Sequence, residues 1–233
     1  MNPDSFQVFL FDIEGTVAPI SFVHEVLFPY SRKKLGDYLK EHPLLEKLRS
    51  ALEFEHRQDF GTGVYTEPLE PSPDSHCNYL QFLIRVDRKS PVLKEVQGEI
   101  WKRGYESGEI KSTLFEDTLP FFESLKKKDK KIYIYSSGSI LAQKLIFGYS
   151  IQGNLNPLIS GYFDTGVGQK RKSESYGNIL RSLGVPAGQL CFFTDIQEEA
   201  EAASSLGITC FLMDREGNTK IEQPKYPLLK SFF

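Results

Sequence analysis

Sulfur and indole are scarce in this chain: 233 residues hold three cysteines, two methionines and one tryptophan. Cys77, Cys191 and Cys210 form no C-x-x-C pair and are odd in number, so no disulfide framework is expected and a reduced intracellular protein is the simplest reading. No apolar run approaches the roughly 20 residues that a membrane helix needs. Basic residues are not in excess either: 28 stand against 31 acidic ones, a net charge of −3. A general nucleic-acid binder would need a basic face. N-x-Ser/Thr sequons are absent, and the stretch from Met1 to Phe11 carries Asp4 and too short an apolar segment for a signal peptide. What the chain does have is ordinary globular material, 40% hydrophobic and 25% charged, in a length that suits one large or two small domains.

Four short apolar runs stand out: Val8 to Phe11, Ile132 to Tyr135, Leu190 to Phe193 and Ile208 to Leu212. Each is near-continuous rather than alternating, the pattern of a strand buried on both faces. Each ends in small polar or acidic residues: Asp12, Ser136, Thr194-Asp195 and Asp214. Helical patterns follow over Ser139 to Tyr149, Ser173 to Leu183 and Ile196 to Leu206. The last two stop at Gly184 and Gly207. Strands alternating with helices predict an α/β fold on a parallel sheet, with ligands outside the carboxyl ends of the strands.

The first two strands lie too far apart for one crossover. About 120 residues separate Asp12 from Lys131, against roughly 30 for a βαβ unit. The excess reads as helices over His24 to Glu41, Leu45 to Phe60, His76 to Val86 and onward from Ser90-Pro91, an N-cap and N1 pair. Gly61 to Asp74 reads as a loop, and Asp117 to Lys131 as a helix returning to the main domain. The expectation is a core of residues 1–19 and 113–233 with a helical insert over 20–112, placed over the active edge.

Several residues at strand ends could carry chemistry. Asp12 and Glu14 stand two residues apart where the chain leaves the first strand. One suits a nucleophile or metal ligand and the other an acid/base; the plain alternative is a capping acid at a loop start. Ser136 and Ser137 precede a helix and suit a phosphate, or are part of an ordinary N-cap. Lys170, in Gly-Gln-Lys-Arg-Lys, could neutralise a phosphate or belong to a solvated basic turn. Asp195 could be a second carboxylate on a divalent cation, or a helix cap. Taken together, in order and on one edge, the set fits a phosphorylated substrate held against a metal and a nucleophile.

Asp-x-x-Gly-Thr, then a strand ending in Ser, then Lys, then a strand ending in Asp resembles the haloacid dehalogenase superfamily of phosphohydrolases. Asp12-Ile-Glu-Gly-Thr-Val-Ala-Pro-Ile-Ser-Phe-Val, Leu27-Phe-Pro-Tyr, Gly104-Tyr-Glu-Ser-Gly-Glu-Ile, Tyr135-Ser-Ser-Gly-Ser and Ser173-Glu-Ser-Tyr are similar to the enolase-phosphatase family of methionine salvage. The Glu in the first motif is its most specific mark. The resemblance implies a doubly wound, Rossmann-like parallel core of the haloacid dehalogenase type with a helical cap inserted after the first strand. It implies enolisation and then Mg²⁺-dependent dephosphorylation of 2,3-diketo-5-methylthiopentyl-1-phosphate, giving an acireductone. Asp12 would be the nucleophile, and Glu14 an acid/base that is also assigned to the metal site. Mg²⁺, one per subunit, would then be held by Asp12, Glu14 and Asp195. Ser136 and Ser137 would bind the phosphate, with Lys170, chosen over Lys172 by spacing. The enolisation base is not named. A plain capped phosphatase for another phosphomonoester shares every core residue. A receiver-like domain is disfavoured by the long insert.

The remaining features read as packing or solvent contacts. The four histidines, His24, His42, His56 and His76, show no ligand spacing. The lysines from Lys126 to Lys131 suit a helix end. Cys191 and Cys210 suit the core. Trp101 and Tyr105 read as helix packing or as a pocket wall. No feature demands a dimer, so a monomer in the cytoplasm is expected, with the nucleus also open to a chain of 26.6 kDa.

Overall fold

The four apolar runs become strands of one sheet because their side chains are covered on both faces. In a computed structural model, which describes residues 3–86 and 88–233, β1 (Val8–Phe11), β2 (Lys131–Tyr135), β4 (Leu190–Thr194) and β5 (Thr209–Met213) coincide with those runs to within a residue. Two strands were not read from the sequence: β3 (Gly161–Phe163) and β6 (Leu228–Leu229). All pairings are parallel and the order is β3-β2-β1-β4-β5-β6. The order reverses at β1, so the crevice at the carboxyl ends of β1 and β4 is the topological switch point where such sheets bind ligands.

The helices of this unit are α5 to α8. They are α5 (Thr118–Lys127), α6 (Ile140–Gly148), α7 (Ser173–Leu183) and α8 (Gln197–Ser204). Alternation along β1 divides the core. Val8 and Leu10 join Tyr135, Tyr176, Ile179, Phe192, Ala200 and Ala203 on the α7 and α8 face. Phe9 and Phe11 point the other way, into an aromatic layer with Phe121, Phe193 and Phe232. The cysteines Cys77, Cys191 and Cys210 are buried and free, and Cys191 and Cys210 are core residues of the sheet.

Chain contacts divide the protein into two compact units. One comprises residues 1–23 and 110–233, the other His24–Glu109; the sequence had set the limits of the insert at 20 and 112. The second unit holds α1 (Phe28–Glu41), α2 (Glu46–Gly61), α3 (Pro73–Arg85) and α4 (Pro91–Glu106). Helices α3 and α4 begin alike. Ser72 and Ser90 accept hydrogen bonds from the backbone N–H three residues on, at 3.2 and 3.1 Å, with proline next in each chain. That arrangement supplies an acceptor for an orphan helix donor and fixes φ. α3 therefore starts three residues before the expected His76. Leu35, Leu39, Leu52, Tyr79, Leu80, Leu83, Val96 and Ile100 form this unit's core. Trp101 is buried, its indole N–H donating to the carbonyl of Leu27 at 2.8 Å. Among the described residues no helix is long and apolar enough to cross a membrane.

Phe232 closes the aromatic layer. Its ring stacks on Phe121 at 4.7 Å and meets Phe11 edge-on at 5.6 Å. Phe232→Ala is expected to cost about 3–5 kcal/mol of stability, read by urea unfolding of the full chain.

Candidate active site

The loop after β1 is fixed before any chemistry is considered. Asp12 N–H still donates to Phe193 O at 2.9 Å, extending the β1–β4 pairing by one residue. The chain then turns on the carbonyl of Ile13, which accepts from the N–H groups of Thr16, Val17 and Ala18. Gly15 adopts φ +69°, and a methyl group there would overlap Asp195 Oδ2 and stand 2.8 Å from Asn218 Oδ1. Only glycine permits both that conformation and that approach. The loop's outward carbonyls are taken in turn. Asn218 Nδ2 donates to Gly15 O at 2.9 Å, Arg215 Nε to Thr16 O at 3.2 Å, and Thr118 Oγ1 to Val17 O at 3.1 Å. Arg215 lies between the rings of Phe115 and Phe232 and pairs with Asp117 at 2.9 Å.

Lys170 reaches this loop from the far side of the sheet edge. Its Nζ donates to Asp12 Oδ1 at 2.5 Å and pairs with Glu199 Oε2 at 2.7 Å. It also lies 5.7 Å above the ring of Tyr135. The segment carrying it is tied down on three carbonyls. Asn178 Nδ2 donates to Val167 O, Tyr135 Oη to Gly168 O and Ser175 Oγ to Gln169 O. Gly168, at φ +130°, has no room for a side chain against Ser175. Lys172 is exposed and lines a separate groove of about 440 Å³ with Thr165, Gln169 and Asn178. Geometry therefore brings Lys170, rather than Lys172, to Asp12.

Glu199 was missed in the sequence, where it merged into the glutamates and alanines of α8. The available signal was spacing. Glu199 lies in the first turn of the helix that follows Asp195, close to the same strand end. Thr194 Oγ1 donates to Glu199 Oε2 at 2.8 Å and accepts from Ile196 N–H at 3.1 Å, holding the turn into α8. Ser136 is buried beyond β2, its Oγ accepting from Gly138 N–H at 3.1 Å. Ser137 is exposed, and Ser139 is the residue that caps α6. Glu14 is half-buried and pairs through its backbone with Ala18.

The cluster is short of positive charge. Burial raises the pKa of Asp12 well above the usual carboxylate value; the Lys170 charge opposes that rise, while Glu199 and Asp195 add to it. Burial likewise lifts Asp195 from 3.8 to about 6, against Lys170 and with Glu199 and Glu14. Burial works against the Lys170 charge, but Asp12 and Glu199 outweigh it and hold the ammonium protonated. Among the described residues no three His, Cys, Asp or Glu side chains converge closely enough to hold a metal ion alone. The donors at the Asp12 loop are hard carboxylate oxygens, and Gly15 leaves open the approach to Asp195 that a methyl would fill. That set fits Mg²⁺, which takes one or two carboxylates and completes its shell with phosphate and water.

A pH dependence follows for the metal-free protein. Between the unfolded pKa of Asp195, near 3.8, and its folded value, about 6, the folded state holds a proton that the unfolded state releases. Its contribution therefore favours folding below about pH 4 and is lost as pH rises toward 6. Urea unfolding in EDTA is expected to show Asp195→Asn removing on the order of 3 kcal/mol of that fall.

The arrangement matches known proteins along its whole length. The model of the haloacid dehalogenase-like hydrolases covers residues 6–207. Enolase-phosphatase E1 of Leptospira borgpetersenii serovar Hardjo-bovis is 46% identical over 97% of both chains. The enzyme of the same name from Synechococcus elongatus is 42% identical over 99% of this chain and 98% of its own. The crystal structure of the UTR4 protein of Saccharomyces cerevisiae superposes with a TM-score of 0.79 at 36% identity, covering 97% of this chain and 98% of that one. With Asp12, Lys170 and Asp195 gathered at the switch point of a parallel sheet, the chain belongs to the haloacid dehalogenase-like hydrolases and, among them, to the family of the enolase-phosphatases E1.

Proposed function

We propose that this protein is a Mg²⁺-dependent enolase-phosphatase of methionine salvage. It enolises 2,3-diketo-5-methylthiopentyl-1-phosphate and then hydrolyses the phosphate ester to 1,2-dihydroxy-3-keto-5-methylthiopentene. The observation that carries the reading is the Lys170 bridge between Asp12 and Glu199 at the β1/β4 switch point, in a chain 46% identical to an enolase-phosphatase E1.

Asp12 acts as the nucleophile. One carboxylate oxygen attacks phosphorus as the bond to the enol oxygen breaks, giving an aspartyl-phosphate that water then hydrolyses. Phosphoryl transfer asks for positioning and positive charge more than for covalent assistance. Lys170 supplies a charge that is already in place, held by Glu199 and by the anchored 167–170 segment. Ser136 and Ser137 bind the phosphate oxygens beside it. Asp12, Glu14 and Asp195 would hold Mg²⁺, which supplies charge to offset the repulsion between phosphate and carboxylate. Glu14 exchanges a proton with the leaving oxygen. The helical unit His24–Glu109 is inserted just beyond the Asp12 loop.

The test follows enediol absorbance and phosphate release together on the diketo phosphate with Mg²⁺. Native protein is expected to form enediol and release phosphate, and Asp12→Asn to lose release by about 10³-fold or more. Enolisation retained by that variant places its base elsewhere. Phosphate released from generic esters without enediol assigns the chain to a plain capped phosphatase instead.

A further inference from the structure

Asn218 has no part in the mechanism above, yet its side chain is pinned against the same loop. Its Nδ2 donates to two backbone carbonyls, Gly15 O at 2.9 Å and Met213 O at 3.1 Å. Those two bonds fix which way the amide faces, since the reversed amide would set an oxygen against two oxygens. The carbonyl oxygen that remains, Oδ1, is buried and has no hydrogen-bond partner among the described residues. It crowds the point that a Gly15 methyl would occupy, and Asp195 Oδ2 crowds that point too. Two acceptors thus stand side by side on one flank of Gly15, close enough to share a partner on their open side. Buried acceptors are ordinarily satisfied. The group able to satisfy a carboxylate and an amide oxygen together, in a cluster already short of positive charge, is a hard cation with its bound water.

We propose that Asn218 belongs to the divalent-cation site: its amide nitrogen locks the Asp12 loop to the end of β5, and its carbonyl oxygen joins Asp195 in the cation's shell of oxygen ligands and bound water. The proposal rests on the reading that a divalent cation works at Asp12 and Asp195. It makes Asn218 a two-sided residue. One side holds the Gly15 turn whether or not metal is present. The other is left unsatisfied until metal arrives.

The two sides separate by substitution. Asn218→Asp keeps an oxygen toward Asp195 and removes the amide donors. Asn218→Leu removes both. Mn²⁺ binding to the full chain, without substrate, is read by the EPR signal of free Mn²⁺ at pH 7.5, with thermal melting in EDTA and in Mg²⁺ alongside. Both variants are expected to melt below wild type in EDTA. Asn218→Leu is expected to bind Mn²⁺ about 10-fold more weakly, the size of one lost ligand-shell partner. Asn218→Asp is expected to bind at least as tightly as wild type and to gain more than wild type in melting temperature on adding Mg²⁺. Equal loss of affinity in both variants makes Asn218 a structural latch only and overturns the proposal. So does wild-type affinity in Asn218→Leu. If either variant fails to fold, substoichiometric Mn²⁺ on unmutated protein decides. With asparagine labelled with 13C at Cγ, pulsed EPR of the bound Mn²⁺ is expected to show a hyperfine coupling to one such carbon, and its absence overturns the proposal. Wild type that binds no Mn²⁺ at all removes the cation reading itself, which distinguishes that failure from the failure of Asn218 alone.

Discussion

One buried ammonium serves a group of carboxylates that outnumbers it. Lys170 touches Asp12 and Glu199 and acts electrostatically on Asp195. Burying an ion is tolerable only when its partners are close and well oriented. Two positions on the sheet therefore lose their freedom together. The Asp12 loop and the start of α8 must meet the 167–170 segment at fixed distances, and each is held by backbone bonds of its own. The carboxylates in excess of Lys170 raise one another's pKa, so the cluster is not a closed salt-bridge network.

Sheet topology explains why such a cluster can be assembled from residues so distant in sequence. β1 is central, with β2 on one side and β4 on the other. Asp12 and Asp195 follow the ends of adjacent strands, and Ser136 follows the strand on the opposite flank. The carboxyl edge is thereby a row of loops anchored on hydrogen-bonded neighbouring strands. The turn at Gly15 is pinned from outside by Asn218 and Arg215, which come from just beyond β5. Arg215 in turn is clamped between Phe115 and Phe232. Packing of an aromatic layer on one face of the sheet is thus coupled to the geometry of a polar loop at its edge.

Much of this was legible in the sequence, and the exceptions have physical reasons. β1, β2, β4 and β5 were readable because both of their faces are buried, which produces continuous apolar runs. β3 and β6 have three and two residues, too few to carry any period. Asp12, Ser136 and Asp195 were readable because polar residues ending apolar runs mark the carboxyl edge. Glu199 was not, because a glutamate in a helix rich in glutamate looks like solvent-facing surface. Its burial is a property of what stands opposite it. Asn218 and Arg215 were invisible for a stronger reason. Each acts on backbone carbonyls about 200 positions away in sequence, and a carbonyl has no residue identity to read.

The central position of β1 has a consequence for synthesis. Its apolar run emerges first from the ribosome, but its first pairing partner, β2, lies about 120 residues later. At typical elongation rates of 5–20 residues per second, that leaves β1 without a sheet for roughly 6–24 seconds. Over the same interval the whole of His24–Glu109 emerges, a unit built from helices with its own core, and mostly local contacts favour rapid folding. The helical unit is therefore complete in sequence while the central strand of the sheet still lacks both of its neighbours.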